Sequence, residues 1–87
     1  MTTFIISYDL GASGSPEAVE SIIKSSGDAM QILSQVWAVN TEREAKPIRD
    51  DIRAVVGEGG RAFVLKSGRT AAWANIVGQN KWLMDNL

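Results

Sequence analysis

Residues 2–10, with the sequence Thr-Thr-Phe-Ile-Ile-Ser-Tyr-Asp-Leu, form the stretch that decides the fold of this chain. Phenylalanine, isoleucine, tyrosine and threonine favour a half-buried strand, and the Gly/Ser/Pro-rich run at 11–16 is typical of a loop. Because neither face of the run from Phe4 to Tyr8 is wholly polar, we expect this strand to be central in its sheet. Asp9 lies where the strand passes into the loop, and sites are often built at such positions, although aspartate more commonly serves there only to begin a turn.

A helix is predicted to follow the loop. Ser15 is a typical N-cap residue, Pro16 suits the first helical position, and apolar residues then recur at helical spacing. Gly27 is available to end the helix in the left-handed conformation. The loop at 11–15 has two glycines before a helix start, but it lacks the lysine and the spacing of a phosphate-binding loop. We therefore expect a plain flexible loop there.

The segment 28–41 is rich in strand-forming residues, but its alternation of apolar and polar residues slips near Ser34. A slip of one residue exchanges the faces of a strand, so the pattern predicts two short strands, at about 29–33 and 35–40, that meet at a bend. Trp37 in the second of these strands is expected to be a core residue. The alternative is an exposed platform on which a base could stack.

A second helix, a last strand and a short C-terminal helix complete the chain. Thr41 to Glu44 resembles a capping box, but Pro47 would then fall in the second turn, so we expect the regular helix to begin near Ala45 or Lys46. The next strand is predicted over 61–66, and a terminal helix over 80–87. Two tryptophans in the last fifteen residues indicate a tail that packs on its own sheet or on a second subunit.

The order β-α-β-β-α-β predicts a ferredoxin-like α+β domain over residues 1–87, with two helices on one face of a four-stranded antiparallel sheet. The core of this domain is expected over 3–66 and a tryptophan-containing extension over 67–87. The face of the sheet without helices needs water or a partner. Its apolar residues favour a homodimer.

Composition excludes several kinds of chemistry. The chain has no cysteine and no histidine, which rules out thiol nucleophiles, histidine general bases and histidine- or cysteine-ligated zinc. Nine basic and ten acidic residues give a net charge of −1, which is not the charge of a protein that coats nucleic acid. There is no apolar run of membrane-spanning length and no basic segment before the first apolar one, so we expect a cytoplasmic protein without a membrane span or signal peptide.

The run Ile-Ile-Ser-Tyr-Asp-Leu at 5–10 resembles the first strand of the small subunit of the CRISPR spacer-acquisition complex and of the virulence-associated protein D ribonucleases. The run Gln-Ile-Leu-Ser-Gln-Val-Trp at 31–37 resembles the strand, bend and strand of the same group. This likeness covers residues 3–66. The chain looks closest to small uncharacterised bacterial relatives of this group, which carry a similar bend and a C-terminal tryptophan–leucine stretch.

The resemblance implies a homodimer in which the Asp9 residues of the two copies face each other and hold Mg²⁺ or Mn²⁺. Ser7 and Ser34 are the neighbours that it implies for this site. A metal-bound water would then cleave a phosphodiester bond in RNA or DNA, which is coherent chemistry for a chain without histidine. An arginine that often precedes the bend in the acquisition subunit has no counterpart here, where Ala29 and Met30 stand.

Phosphate contacts in such a nuclease would fall to few residues: Arg61, Lys66 and Arg69 are the candidates expected to cluster. The alternative function is a non-catalytic dimeric module that binds or inhibits a protein or nucleotide partner. Tryptophan is enriched in interfaces, and the three candidates for an interface are Trp37, Trp73 and Trp82. Ferredoxin-like folds carry many unrelated functions, so the topology does not choose between these alternatives.

Overall fold

A computed structural model describes residues 1–68 and 70–87 of the chain. The order of elements is the predicted one, followed by a C-terminal helix, and it confirms the ferredoxin-like α+β fold. The elements are β1 (Thr2–Asp9), α1 (Pro16–Ser26), β2 (Asp28–Leu33), β3 (Val36–Thr41), α2 (Ala45–Arg53), β4 (Arg61–Lys66) and α3 (Asn80–Asn86).

The four strands form one sheet in the order β2-β3-β1-β4, and every neighbouring pair is antiparallel. β1 is therefore central, as its apolar sequence predicts, and Ile6 on it lies between Trp37 of β3 and Val64 of β4. The register between β2 and β3 shifts between Gln31 and Leu33, next to the phase slip that the sequence shows.

The core lies between one face of the sheet and the two helices α1 and α2. Alternate residues of β1 enter it, and the helices contribute the residues of their apolar stripes, as period-2 and period-3.6 patterns require. The buried apolar residues of this cluster are Phe4, Ile6, Tyr8, Val19, Ile23, Trp37, Val39, Ile48, Ile52 and Val56. Trp37 is 4% exposed and belongs to this core, so it is not available as a stacking platform or as an interface residue in this fold.

Capping explains where α1 begins, and a close backbone approach explains where it ends. The backbone N–H of Ala18 donates to Ser15 Oγ at 3.1 Å, which is the predicted N-cap. Gly27 does follow the helix, but its φ of 168° is extended and not left-handed, so the predicted C-terminal conformation is wrong. Glycine fits there because a Cβ would collide with the carbonyl oxygen of Asn40 on β3.

The acidic residues of α2 are solvated, but their partners differ from those that helical spacing indicates. Arg43 donates to Asp51 at 2.8 Å, and Arg49 donates to Asp50 at 2.7 Å. The hydrogen bond from Arg49 holds the pKa of the Asp50 carboxyl below its usual value. The sequence alone does not place Arg43 here, since that residue lies before the helix and approaches it only in the fold.

The glycine-containing loop at 11–15 is not the plain flexible loop that its composition indicates. Gly11 N–H donates to Val56 O at 2.7 Å, and Ala12 and Glu58 exchange two backbone hydrogen bonds, at 2.8 and 3.1 Å. A Cβ on Gly11 or Gly14 would collide with carbonyl oxygens of the segment that follows α2. The two turns are thus joined backbone to backbone, and they fix the end of β1 at which Asp9 lies.

Residues 70–87 cover part of the other face of the sheet, called here the second face, within the same chain. Val77 N–H donates to Ile32 O at 2.8 Å, and Thr3 Oγ1 donates to Asn86 O at 2.6 Å. Leu83 of α3 is 1% exposed. Of the two placements that the sequence leaves open for the tail, the structure has the one on its own sheet.

Over residues 1–68 and 70–87, none of the helices combines the length and the apolar character that crossing a bilayer requires.

Candidate functional site

Asp9 ends β1 with its side chain on the second face. Its position in the register is opposite Arg61 of β4, and the two side chains form an ion pair at 3.7 Å. The side chains are 64% and 82% exposed, respectively. A pair this long and this exposed is weak, because water screens it and both side chains keep their freedom. Asp9 is therefore accessible to a partner, in a position that the loop at 11–15 holds in place.

Ser7 shares the second face with Asp9, because successive side chains of a strand alternate between the faces. Ser34 lies in the turn between β2 and β3, at the same end of the sheet: the neighbouring Gln35 accepts a hydrogen bond from Tyr8 N–H at 3.2 Å. The structure thus places the two predicted neighbours of Asp9 at its end of the sheet. The side chain that pairs with Asp9 is that of Arg61.

The predicted cluster of phosphate contacts does not form. Arg61 and Lys66 occupy the two ends of β4, so about 16 Å of strand separates them. The two residues are also an odd number of positions apart, so Arg61 lies on the second face and Lys66 on the face of Phe4 and the helices. Arg69, the third candidate, lies outside the described residues.

A glycine-containing loop before a helix can bind an anion through its backbone N–H groups. In this fold those N–H groups already have hydrogen-bond partners within the chain. The N–H groups of Gly11, Ala12, Gly14 and Ser15 all donate to backbone carbonyl oxygens. The Ser15 side chain accepts from Ala18 N–H. The donors that would face a phosphate are used to join the two turns.

Asp9 offers a single carboxylate to a divalent metal ion. Mg²⁺ is held in proteins by one or two carboxylates together with waters and substrate phosphates. In the part of the chain that the structure describes, no three carboxylates come together as a possible metal site. Asp9 also has a guanidinium beside it. One copy therefore supplies the smallest carboxylate set that such an ion uses, with a competing cation next to it.

A row of register partners with exposed apolar side chains at its two ends crosses the second face beside Asp9. Phe63 of β4, Ser7 of β1, Val36 of β3 and Leu33 of β2 are successive register partners, and we call these four residues the open patch. Phe63 is 61% exposed and Leu33 is 48% exposed. The tail covers the other end of this face and leaves the open patch to solvent.

The sequence predicts only part of the open patch. The alternation Arg-Ala-Phe-Val-Leu-Lys at 61–66 does place Phe63 on the face of Arg61, away from the helices. That pattern could have marked Phe63 as a surface residue. Leu33 could not be placed in the same way, because the irregular register before it decides which face its side chain takes.

The two tryptophans of the tail are half-buried and hold the tail in shape. Trp73 Nε1 donates to Asn80 Oδ1 at 3.1 Å, within the tail itself. Trp82 Nε1 donates to Asp28 Oδ1 at 3.3 Å, between α3 and β2. Both indole N–H groups therefore have partners inside the chain, and their place as interface residues stays a prediction.

Tyr8 shows how sharply the environment changes from one residue of β1 to the next. Asp9 is exposed, whereas Tyr8 is 4% exposed and points to the helices. Burial raises the pKa of the Tyr8 phenol, the negative charge of Glu20 raises it further, and the nearby Trp37 indole N–H opposes the change. Tyr8 is thus a neutral core residue at ordinary pH.

Comparison of the chain with models of protein families, with curated proteins and with solved structures found no match. The resemblance to the CRISPR acquisition subunit and to the virulence-associated protein D ribonucleases therefore stays a prediction from the two short runs of sequence that carry it.

Proposed function

We propose that this protein is a homodimeric binding module that self-associates through the open patch. The observation that carries the proposal is the exposure of Phe63 and Leu33 at the two ends of one row of register partners on a sheet face. Large apolar side chains that are exposed together, and rimmed by charge, mark interaction surfaces. An 87-residue chain also buries a modest share of its surface, so association adds to its stability.

A second copy is the partner that best suits the charges beside the open patch. Asp9 and Arg61 are adjacent, opposite in charge and both largely exposed. A twofold axis through the patch brings the same surface of each copy together, so Asp9 of one copy can meet Arg61 of the other. Such a rim is electrostatically self-complementary, which favours self-association in one register over attachment to a strongly charged partner such as nucleic acid.

Sedimentation velocity of the purified chain from micromolar to millimolar concentration tests the dimer. We expect a species of twice the 9.4 kDa chain mass, and we expect this dimer to dissociate more readily when Phe63 is replaced by serine. Loss of a central aromatic contact costs about 2 kcal/mol or more, which is a rise of roughly thirtyfold in the dimer dissociation constant.

Met84→Ser is the matched control, because Met84 is 73% exposed and lies on α3, which contacts Asp28 and Thr3 at the other end of the sheet. A wild-type chain that stays monomeric up to millimolar concentration would refute the proposal. Equal weakening of the dimer by Phe63→Ser and Met84→Ser would place the interface elsewhere.

A second candidate function, metal-dependent cleavage of RNA or DNA, is favoured by the position of Asp9 at the rim of the same patch. One copy offers a single carboxylate there, and a dimer through the open patch brings a second one to the same rim. Two carboxylates and several waters suit Mg²⁺ or Mn²⁺. The nuclease that the resemblance implies, with two facing Asp9 residues, therefore requires the dimer, whereas the dimer does not require the nuclease.

Calorimetric titration with Mg²⁺ and Mn²⁺, together with cleavage of labelled RNA and DNA, separates the two functions. Asp9→Asn should abolish metal binding and cleavage in the nuclease and leave the dimer in place, since an exposed ion pair contributes about 1 kcal/mol or less. Arg61→Gln serves as the control that removes the neighbouring cation. Equal cleavage by wild type and Asp9→Asn would exclude the catalytic role. A dimer that forms but binds no metal would exclude the nuclease and favour the binding module.

A further inference from the structure

A groove lies between the second face and the tail, beside the end of β4. Its volume is about 250 Å³. Ile5, Ile32 and Leu65 of the sheet form one wall, and Leu83 of α3 lies on the other. We infer that this groove binds a small, largely apolar molecule of one or two rings.

The groove exists because the tail is fixed at places beyond it. The hydrogen bonds at Val77 and Asn86 and the buried side chain of Leu83 fix the second half of the tail to the sheet. The approach to that half includes Ala71 and Ala72, whose short side chains do not fill the space over the wall.

Size limits the occupant. An engineered apolar cavity of about 150 Å³ binds benzene, and pockets for larger ligands begin at about 300 Å³. The volume of about 250 Å³ therefore suits a one- or two-ring molecule.

The chemistry of the walls limits the occupant further. Among the lining residues that the structure describes, the side chains with polar atoms are those of Ser67, Thr70 and Trp73, and none is charged. The indole N–H of Trp73 is already donated to Asn80. A hydroxyl on the ligand could be met by Ser67 or Thr70, whereas the rest of the ligand would face the apolar walls.

This inference does not rest on the proposed dimer, because the groove is complete within one chain. Leu65 is 43% exposed and continues the face of Phe63, so the groove opens beside the open patch. A second copy seated over that opening would close it. The two proposals can therefore be tested separately, in dilute monomer and in concentrated dimer.

Methyl-labelled NMR of the full chain with 1-naphthol as the probe tests the assignment. We expect saturable shifts at the methyl groups of Ile5 and Leu83, which lie on the two walls of the groove. Ala72→Leu, which fills part of the groove, should weaken 1-naphthol binding by roughly tenfold. Ala74→Leu is the matched control, because Ala74 is exposed and is not a lining residue.

Ala71→Leu changes a second lining position and keeps the test valid if Ala72→Leu does not fold, which circular dichroism would show. Two outcomes would overturn the assignment. These are no saturable shift with 1-naphthol in dilute protein, or equal binding by Ala72→Leu and Ala74→Leu. Binding by the folded wild type that the two lining variants lose and the control keeps would establish the site.

Discussion

Replacement of Leu83 by alanine tests whether the tail is part of the folded unit. Leu83 is 1% exposed and lies against the second face, near Ile5 and Leu65. The change removes three carbon atoms beyond Cβ, which at about 0.8 kcal/mol for each buried methylene comes to about 2.4 kcal/mol. Such replacements cost about 2–5 kcal/mol when a closed cavity remains. The groove beside Leu83 lets neighbours and water adjust, so we expect a loss of about 2–3 kcal/mol in the free energy of unfolding.

Urea unfolding, followed by circular dichroism and tryptophan fluorescence at pH 7 and one protein concentration, measures this loss. In a domain of this size about 1 kcal/mol shifts the melting temperature by about 4–8 °C, so the same variant should melt about 10–20 °C lower. Met84→Ala is the matched control. Met84 follows Leu83 on α3 but is 73% exposed, and its replacement should change the stability by about 0.5 kcal/mol or less.

A result in which the two variants differ by less than about 0.5 kcal/mol would refute the reasoning. It would mean that α3 does not pack on the second face in solution. The groove inferred above would then lack one wall. The open patch would extend over the whole second face, and the surface available to a second copy would be larger than the structure indicates.

Two further predictions concern the helix face of the sheet and the start of α1. Ser15→Ala removes the acceptor of the Ala18 N–H and should cost about 1 kcal/mol, measured by urea unfolding, whereas Ser15→Asp should retain most of the stability. Tyr8 is the single tyrosine, so its ionisation can be followed by absorbance near 295 nm, and it should titrate above the pKa of about 10 of a free phenol. Because the folded pKa is raised, the contribution of Tyr8 to stability is complete below the unfolded pKa. It is lost as the pH rises through the folded pKa. Glu20→Gln should lower that pKa, and a midpoint equal to that of the unfolded chain would contradict the burial.

The order of elements and the faces of the regular strands could be predicted from local chemistry. The run at 2–10 alternates so that Phe4, Ile6 and Tyr8 share a face, and this pattern predicts the central strand and its contribution to the core. The start of α1 follows from Ser15 and Pro16, whose side chains act on atoms within a few residues. Period and capping are properties of neighbouring residues, so a sequence contains them directly.

The candidate site could be predicted only as far as Asp9 and its position at the end of β1. The pairing with Arg61 depends on the register of β4 against β1, and the loop at 11–15 appears flexible until the segment after α2 is seen against it. Lys66 is separated from Arg61 for the same reason, because a strand spreads its residues along one line and over two faces. These are relations between residues far apart in the sequence.

The sequence by itself determines a small ferredoxin-like domain without cysteine or histidine chemistry and with one carboxylate at the end of its central strand. Only the tertiary structure decides which surface is left for function. Leu83 covers one end of the second face, while Phe63 and Leu33 remain exposed at the other. The physical reason is that exposure is set by what the rest of the chain places over a residue, and the path of the tail depends on contacts such as Val77 with Ile32 that no local pattern encodes.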